Sequence, residues 1–474
     1  MDSRTVIIAV VAIYFIALLV IGFVTKGKNE EVDDFLVAGR NVGLWVGAFS
    51  IAAVQVGAGV IIGGAETGAE HGVWPGMYYS LGCGLGCIIA GIFIAGRMRD
   101  IEGVVPMDYF EARFGKYKVV RGWAWLSNVP SMLGIFISQI LACGSILSAF
   151  GLPFSASIII CALVVLVSAV MGGMWSVAIG NTVQMLVIMI GIPVAAIMTL
   201  VNLNNAGVPV GEIFSIPFIP DGLFSTFIYQ VTPMLVSISV SYDAFLRYQA
   251  AKDVKTAKWA CILGGIITIF VGTAASIVGT AGHSLFPEQS YANTFAYTVS
   301  EVLPALIAAV VVVAVLAAAM SSASGLLIGL SSSFSVDLYK GVMHPDKQMK
   351  DLPKAKTIAQ ATVVVACIVG TLLSFKIDNL LDAIILFNYP YMGSVLVPLL
   401  AALFYKNATV KGCFAAMFAG GAVGTVSFVG GLAGFLNPDM GLFIAYLVGL
   451  VVLVIVSSMD PKKCPMVDHK AHKV

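Results

Sequence analysis

Hydroxyl groups recur inside a stretch that is otherwise apolar: Ala317-Ala-Ala-Met-Ser321-Ser322-Ala-Ser324-Gly325, then Ser331-Ser332-Ser333-Phe-Ser335-Val-Asp337-Leu-Tyr339. Serines three and four apart share one face of a helix. Neutral oxygens gathered on one face suit a hard cation such as sodium, for the same reason that calcium and magnesium take oxygen ligands. Backbone carbonyls freed from an unwound helix are a second source of such oxygens. The run Ser50-Ile-Ala-Ala-Val-Gln-Val-Gly-Ala-Gly-Val60, followed by Gly63-Gly64, is rich in residues that hold a helix poorly. Carbonyls near Ala53 to Val56 are therefore candidate ligands. A structural account competes: small residues pack closely, and serine hydroxyls bond back to their own helix. The serine stretch alone leaves both open.

The ionisable groups in apolar surroundings are few. Glu66, Glu70 and His71 close one apolar run; Glu70 and His71 fall where an interface would be, and Glu66 sits about one turn deeper, able to face a solute path or carry a proton. Asp243 and Arg247 are one turn apart and can pair with each other. Asn388, Tyr389 and Tyr391, with Pro390 between, could close an outer vestibule, although aromatics near helix ends also serve as interfacial anchors. Gly57-Ala-Gly59 follows no strand and is not a nucleotide loop. The spans hold no His-rich metal cluster, activated nucleophile or paired carboxylates, which disfavours a membrane-embedded enzyme. The eight cysteines are scattered, with Cys83 and Cys87 the nearest pair, and suggest neither a disulfide framework nor a zinc site.

The elements that would position these groups follow from composition. The chain of 474 residues is 59% hydrophobic and only 11% charged, against about 25% charged in a soluble domain. Many apolar runs reach the roughly 20 residues that cross a bilayer. The net charge of +1 gives no reason to expect a nucleic acid partner. Apolar runs and their breaks predict an all-α integral membrane protein of about thirteen spans: 5–25, 43–71, 75–97, 119–150, 153–171, 175–202, 223–248, 257–283, 303–338, 355–375, 380–405, 409–432 and 440–458. The first run lacks the basic start and small-residue cleavage site of a signal peptide and is expected to be a retained helix. With the N-terminus outside, 24 of the 26 Lys and Arg fall on the cytoplasmic side, all but Arg4 and Lys376. The positive-inside rule thus favours this map, with a cytoplasmic C-terminus, in the plasma membrane.

Two spans are expected to be broken: the second, at its glycines, and the seventh, which carries Pro233 and later Ser241-Tyr242-Asp243. They lie five spans apart, an odd number, so the blocks they open run in opposite directions. Interrupted helices at matching places in inverted halves point to a midplane solute and ion site. The alternative is that the glycines only permit close helix packing.

At this point the residues carry a resemblance. Asp34-Phe-Leu-Val-Ala-Gly-Arg40, Pro106-Met-Asp-Tyr-Phe-Glu-Ala-Arg-Phe-Gly115, Gly172-Gly-Met-Trp-Ser-Val-Ala-Ile-Gly-Asn-Thr-Val-Gln184, Arg247-Tyr-Gln-Ala-Ala-Lys252, the serine-rich ninth span ending Asp337-Leu-Tyr-Lys340, and Pro398 through Phe404-Tyr-Lys-Asn-Ala-Thr-Val-Lys-Gly412 appear in order. Together they resemble the sodium:solute symporter family, which includes sodium-coupled proline, galactose and sialic acid transporters. The resemblance implies a LeuT-type fold with one leading helix, a five-plus-five inverted repeat and two trailing helices. Residues 1–42 would be the leading helix and its loop, 43–202 the first repeat, 223–405 the second, 406–458 the trailing helices, and 459–474 a cytoplasmic tail.

It also implies a sodium site made by the carbonyls of Ala53, Val56 and Ala318 and the hydroxyls of Ser321 and Ser322, with Gln55 bracing the break. Solute-facing positions would be Gly57, Val60, Glu66, Ser241, Tyr242, Asp243, Asn388 and Tyr391. Relatives that bind a second sodium use an Asp where this chain has Asn181, and a hydroxyl where it has Gly325. One sodium per solute is therefore expected, with Asn181 on the ion's exit path. The expected function is sodium-coupled symport of a small organic solute by alternating access, with sodium as coupling ion and the lipid bilayer as surroundings. Proton coupling through Glu66 or Asp243 is the rival within the same fold, and a transporter-derived membrane sensor is the rival outside it. Gly57, Gly59 and Val60 favour a compact organic acid, amino acid or zwitterion over a sugar. Oligomeric state is not readable.

Overall fold

The computed structural model describes residues 3–25, 32–238, 240–352, 354–377, 380–438 and 440–467. Lys26, Lys28, Lys470 and Lys473, four of the basic residues used to orient the chain, lie outside the described residues. Within them the backbone is helical nearly throughout. A bilayer core offers backbone N–H and C=O groups no water, so they must be satisfied within a helix.

Ten helices among the described residues are long and apolar enough to cross a bilayer. The bent pair Leu44–Gln55 and Gly59–His71, which meet at 59°, makes an eleventh when taken as one span. The helix Phe154–Asn205 has 52 residues, which at about 1.5 Å per residue is more than twice the roughly 30 Å of a hydrocarbon core. It is two helices joined at Gly173, whose φ of 50° and ψ of −150° leave the helical region. The positive φ is one that L side chains rarely adopt. Tyr78–Phe93 is apolar but only 16 residues long.

Both expected breaks are present. The first falls at Val56–Ala58, and the second helical half opens with a π turn at Gly59–Gly63. The second separates Phe224–Ser237 from Tyr242–Ala250, a turn beyond Pro233. A proline removes the N–H at its own position, but the helix there continues to Ser237. The two breaks are coupled at one end. Val42, just before the first broken helix, forms a parallel β-bridge to Ala251, just after the second, with Val42 N donating to Ala250 O at 2.9 Å and Lys252 N to Val42 O at 3.0 Å.

Short helices without a long apolar run escaped the hydropathy reading, as at Pro106–Phe114 and Tyr291–Val302. Helix Val254–Leu285 packs on the first broken helix and on Tyr78–Phe93, while Ala305–Ser332 packs between Phe154–Asn205 and Lys118–Ala149. The helices Tyr389–Phe404, Val410–Leu432 and Gly441–Met459 pack on one another, and a Cβ on Gly393 would lie 2.6 Å from the Gly420 carbonyl. Here glycine does serve close approach.

Candidate functional site

The first break frees two carbonyls. In an unbroken helix Gly57 N–H would bond to Ala53 O and Ala58 N–H to Val54 O. Instead Gly57 N donates to Gln55 O at 2.9 Å, and Ala58 N donates to the Gln139 side chain at 2.7 Å. The released oxygens meet the serines of Ala305–Ser332. Ser321 Oγ lies 3.0 Å from Ala53 O and 2.8 Å from Ala318 O. Ser322 Oγ lies 3.1 Å from Ala53 O, 3.0 Å from Val54 O and 3.1 Å from Ala318 O. Five neutral oxygens from two elements thus converge in a buried spot. Such a set has the hardness that suits a small monovalent cation, with the hydroxyls here donating to the carbonyls and able to turn a lone pair inward by rotation. Val56 is buried at the break as the C-cap of Leu44–Gln55.

Two members of this constellation were not named from sequence. One is the Val54 carbonyl. The other is Gln139 on Lys118–Ala149, which holds the broken strand of backbone in place. Its approach depends on glycine: a Cβ on Gly57 would lie 2.6 Å from Gln139 Oε1 and 2.9 Å from Ser322 Oγ. A lone glutamine in an apolar run was the available signal.

At the second break the described carbonyls of Ile238 and Val240 accept from other side chains, two tyrosines and a serine. Tyr391 Oη donates to Val240 O at 2.8 Å, Tyr248 Oη to Ile238 O at 3.3 Å, and Ser241 Oγ to Ile238 O at 3.4 Å. Tyr391 therefore braces this break and stacks obliquely on Tyr242, with centroids 5.6 Å apart, rather than closing an outer vestibule with Asn388.

A cavity of about 40 Å³ lies between the two breaks, with Gln55, Gly57, Gln139, Ser241, Asp243 and Asn388 in its wall. That is room for a water or two, so a solute must widen it. Of the solute-facing residues expected from sequence, Gly57, Ser241, Asp243 and Asn388 line this space. Val60 instead points to Val254–Leu285, where a Cβ on Gly272 would lie 3.2 Å from it. Glu66 stands half-buried two turns along Gly59–His71, outside the cavity wall. Asn388 is held by Ser131 Oγ and donates Nδ2 to Ile384 O at 2.6 Å.

Asp243 and Arg247 do not form the expected side-chain pair. Arg247 Nη1 donates to the Asp243 backbone carbonyl at 2.7 Å and Nε to Ser50 O at 3.0 Å, while Nη2 is buried without a hydrogen-bond partner. The guanidinium fits because residue 325 is glycine, where a Cβ would lie 2.6 Å from Nη2. Ser50 Oγ in turn accepts from Asn181 Nδ2 at 3.2 Å. Asn181 borders a polar space of about 20 Å³ with Ser176, Gln184 and Ser324.

Tyr242 faces away from the cavity and donates its hydroxyl to Asp337. Asp337 Oδ1 accepts from Arg121 Nη1 at 2.8 Å. Arg121 also bonds Asp108 at 2.6 Å and both oxygens of Glu111 at 2.7 Å. This buried knot joins the second break, the end of the serine helix, the start of Lys118–Ala149 and the short helix Pro106–Phe114. Burial would push the Asp108 carboxyl up, but Arg121, Lys340 and the Val104 and Val105 amides together hold it below the usual carboxylate range. No sequence pattern flagged the knot, since its members are far apart in the chain.

With this geometry in view, comparison with known proteins is informative. Residues 35–420 match the sodium:solute symporter family. The chain is 23% identical to an osmoregulated proline transporter of Bacillus subtilis (strain 168), covering 95% of this chain and 94% of that one. It is 25% identical to a sodium/proline symporter of Staphylococcus aureus, covering 98% and 94%. Among solved structures it resembles a sodium-coupled sialic acid symporter in a substrate-bound outward-open state, with a TM-score of 0.77 at 19% identity over 97% of this chain and 98% of that one. It also resembles Mhp1, a nucleobase-cation-symport-1 family transporter, with a TM-score of 0.60 at 16% identity over 90% and 95%. The fold is accordingly of the LeuT type, an all-α, multi-pass arrangement with a five-plus-five inverted repeat. The chain belongs to the sodium:solute symporter family, and is a multi-pass membrane protein that couples sodium to the transport of a small solute by alternating access.

Proposed function

We propose that this protein carries one sodium ion with each solute molecule, and that the ion sits among the carbonyls of Ala53, Val56 and Ala318 and the hydroxyls of Ser321 and Ser322. The observation that carries the reading is the convergence of Ser321, Ser322, Ala53 and Ala318 oxygens within about 3 Å of one another. An ion there bridges the first broken helix to the serine helix, two elements whose polar links are otherwise hydroxyl–carbonyl bonds. Sodium binding would hold the break in the shape that forms the solute cavity, and the coupling would be reciprocal. The Val54 carbonyl, which Ser322 also touches, connects ion and cavity directly.

The solute occupies the widened space between the breaks, against Gly57, Ser241, Asp243 and Asn388. The topology that accompanies this reading has thirteen spans, with the N-terminus outside and the C-terminus in the cytoplasm of the cell's plasma membrane. Counting the bent pair as one span, Phe154–Asn205 as two and Tyr78–Phe93 as one supports that number. Repeats of 43–202 and 223–405, flanked by a leading helix and two trailing ones, follow from it. In this orientation the Arg121 knot lies on the cytoplasmic side of the cavity and acts as the inner seal, which must open to release solute and ion. Sodium-dependent uptake by Ser321→Ala and Ser322→Ala variants tests the reading: weakened apparent sodium affinity is expected, and unchanged sodium dependence in both removes the site.

A further inference from the structure

Among the described residues of the cavity wall, Asp243 alone carries a formal charge. It is 5% exposed, and among the described residues no hydrogen bond or ion pair reaches its carboxylate. Three other polar groups there are already engaged, Gln139 by Ala58 N and Ser138, Asn388 by Ser131 and Ile384, and Ser241 by Ile238, while Gln55, Tyr79 and Ser237 complete the polar wall. Arg247, the nearest cation along the helix, bonds the Ser50 and Asp243 backbone carbonyls through Nε and Nη1 and leaves Nη2 unpartnered, with no hydrogen bond to the Asp243 carboxylate. Asp243 sits in the first turn of Tyr242–Ala250. A desolvated carboxylate left unpaired in a membrane interior is costly.

We infer that Asp243 reads the solute by pairing with a cationic nitrogen, so that the transported compound is an amine-bearing zwitterion. This rests on the reading that the cavity between the breaks is the solute site. A carboxylate or sulfonate group set against Asp243 would be repelled, and a polyol would leave the charge unpaired. An ammonium group forms charge-assisted N–H···O bonds to it. Charge balance selects among amines. Sodium, Arg247 and Asp243 already sum to one net positive charge around the cavity. A simple amine would add another in a low-dielectric region, whereas a zwitterion adds none. The zwitterion's anionic group has a ready place at the opening of Gly59–His71, where a half-helix begins at the cavity. The glycines at 57 and 59 keep the pocket narrow: a Cβ on Gly59 would lie 2.8 Å from Tyr79 and 2.9 Å from Ile384. The solute is therefore compact.

The test is a thermal-shift and radioligand screen on purified full-length protein, with and without sodium. Three sets of probes are used: small amino acids including proline, the same skeletons with carbon in place of the nitrogen, and amines lacking a carboxylate. The expected result is sodium-dependent binding of amino acids, with neither of the other sets competing. Asp243→Asn should weaken that binding by about 10- to 100-fold, while leaving the stabilisation by sodium alone intact. Asp243→Glu, which keeps the charge and shifts its reach, should bind more tightly than Asp243→Asn. Sodium-dependent binding of a nitrogen-free acid or a sugar, or full affinity in Asp243→Asn, overturns the inference while leaving sodium symport standing. Loss of the response to sodium itself in the wild-type protein would instead strike at the ion site.

Discussion

Replacing Ser322 by alanine removes one oxygen and nothing else from the ion site. The side chain is fully buried, and its hydroxyl touches the Ala53, Val54 and Ala318 carbonyls at 3.1, 3.0 and 3.1 Å. A polar contact to a charged group is worth about 1.5–3 kcal/mol, and each 1.4 kcal/mol is tenfold in affinity. Apparent sodium affinity should therefore fall by roughly 10- to 150-fold. Because coupling is reciprocal, solute affinity should fall at low sodium and recover as sodium saturates. Solute uptake into proteoliposomes, measured across a sodium series, reads both effects. Loss of the hydroxyl also leaves three carbonyls with one donor fewer, so the protein should be less stable even without sodium. Ser332→Ala separates these effects. Its hydroxyl bonds Gly329 O at 2.8 Å within its own helix, away from the break, and its sodium dependence should match the wild type. If Ser321→Ala and Ser322→Ala both keep the wild-type sodium curve, the ion binds elsewhere and the reasoning fails.

Other outcomes follow from the same geometry. Arg121→Ala removes the shared cation from buried Asp337 and from the partly buried Asp108 and Glu111, and should cost about 3–5 kcal/mol of unfolding free energy, with Arg121→Lys recovering part of it; equal stability of all three forms would deny the knot a sealing role. Gly57→Ala should abolish transport, because the added methyl meets Gln139 and Ser322, and uptake at the wild-type rate would show that this close approach is not needed. Cysteines placed at the exposed Glu212 and Lys347 in a cysteine-free background should label from opposite faces, Glu212 outside; labelling from one face refutes thirteen spans. Glu66→Gln should leave solute affinity and the pH profile of uptake unchanged, since Glu66 stands outside the cavity wall; a shifted profile would bring proton coupling back.

The elements carrying the site were legible because a membrane leaves the backbone few choices. Long apolar runs must be helices, and glycines within one mark where it opens, so the break at Val56–Ala58 could be placed closely. The serines could be grouped because spacing fixes a helix face. What periodicity could not give was which groups each break would meet. The freed carbonyls at Ala53 and Val54 meet the Ser321 and Ser322 hydroxyls, whereas those at Ile238 and Val240 meet Tyr248, Ser241 and Tyr391. That difference depends on side chains reaching in from distant helices. The same holds for Asp243 and Arg247. A spacing of four permits a pair, but tertiary packing turned the guanidinium toward Ser50 and into the space beside Gly325.

The coupling ratio joins these strands. A second sodium near Asn181 would need a counter-charge, and an asparagine supplies only a neutral carbonyl oxygen; its amide already points at Ser50 Oγ. The space that a hydroxyl at residue 325 would fill holds the Arg247 guanidinium instead, buried and with Nη2 unpartnered. A cation about 5 Å from that fixed charge would be repelled by roughly 3 kcal/mol at an effective dielectric near 20, before any desolvation cost. Arginine thus stands as a tethered cation beside the position a second ion would use, and it cannot leave with the solute. Asn181 and Ser324 border a small polar space, which the proposed reading makes the first ion's way out. One sodium per solute is the expected stoichiometry. Reversal potentials in proteoliposomes, with solute and sodium gradients set against each other, measure it directly. A ratio near one agrees with a single oxygen-lined site, whereas a ratio near two means that a second sodium binds despite Arg247, and the charge argument is wrong.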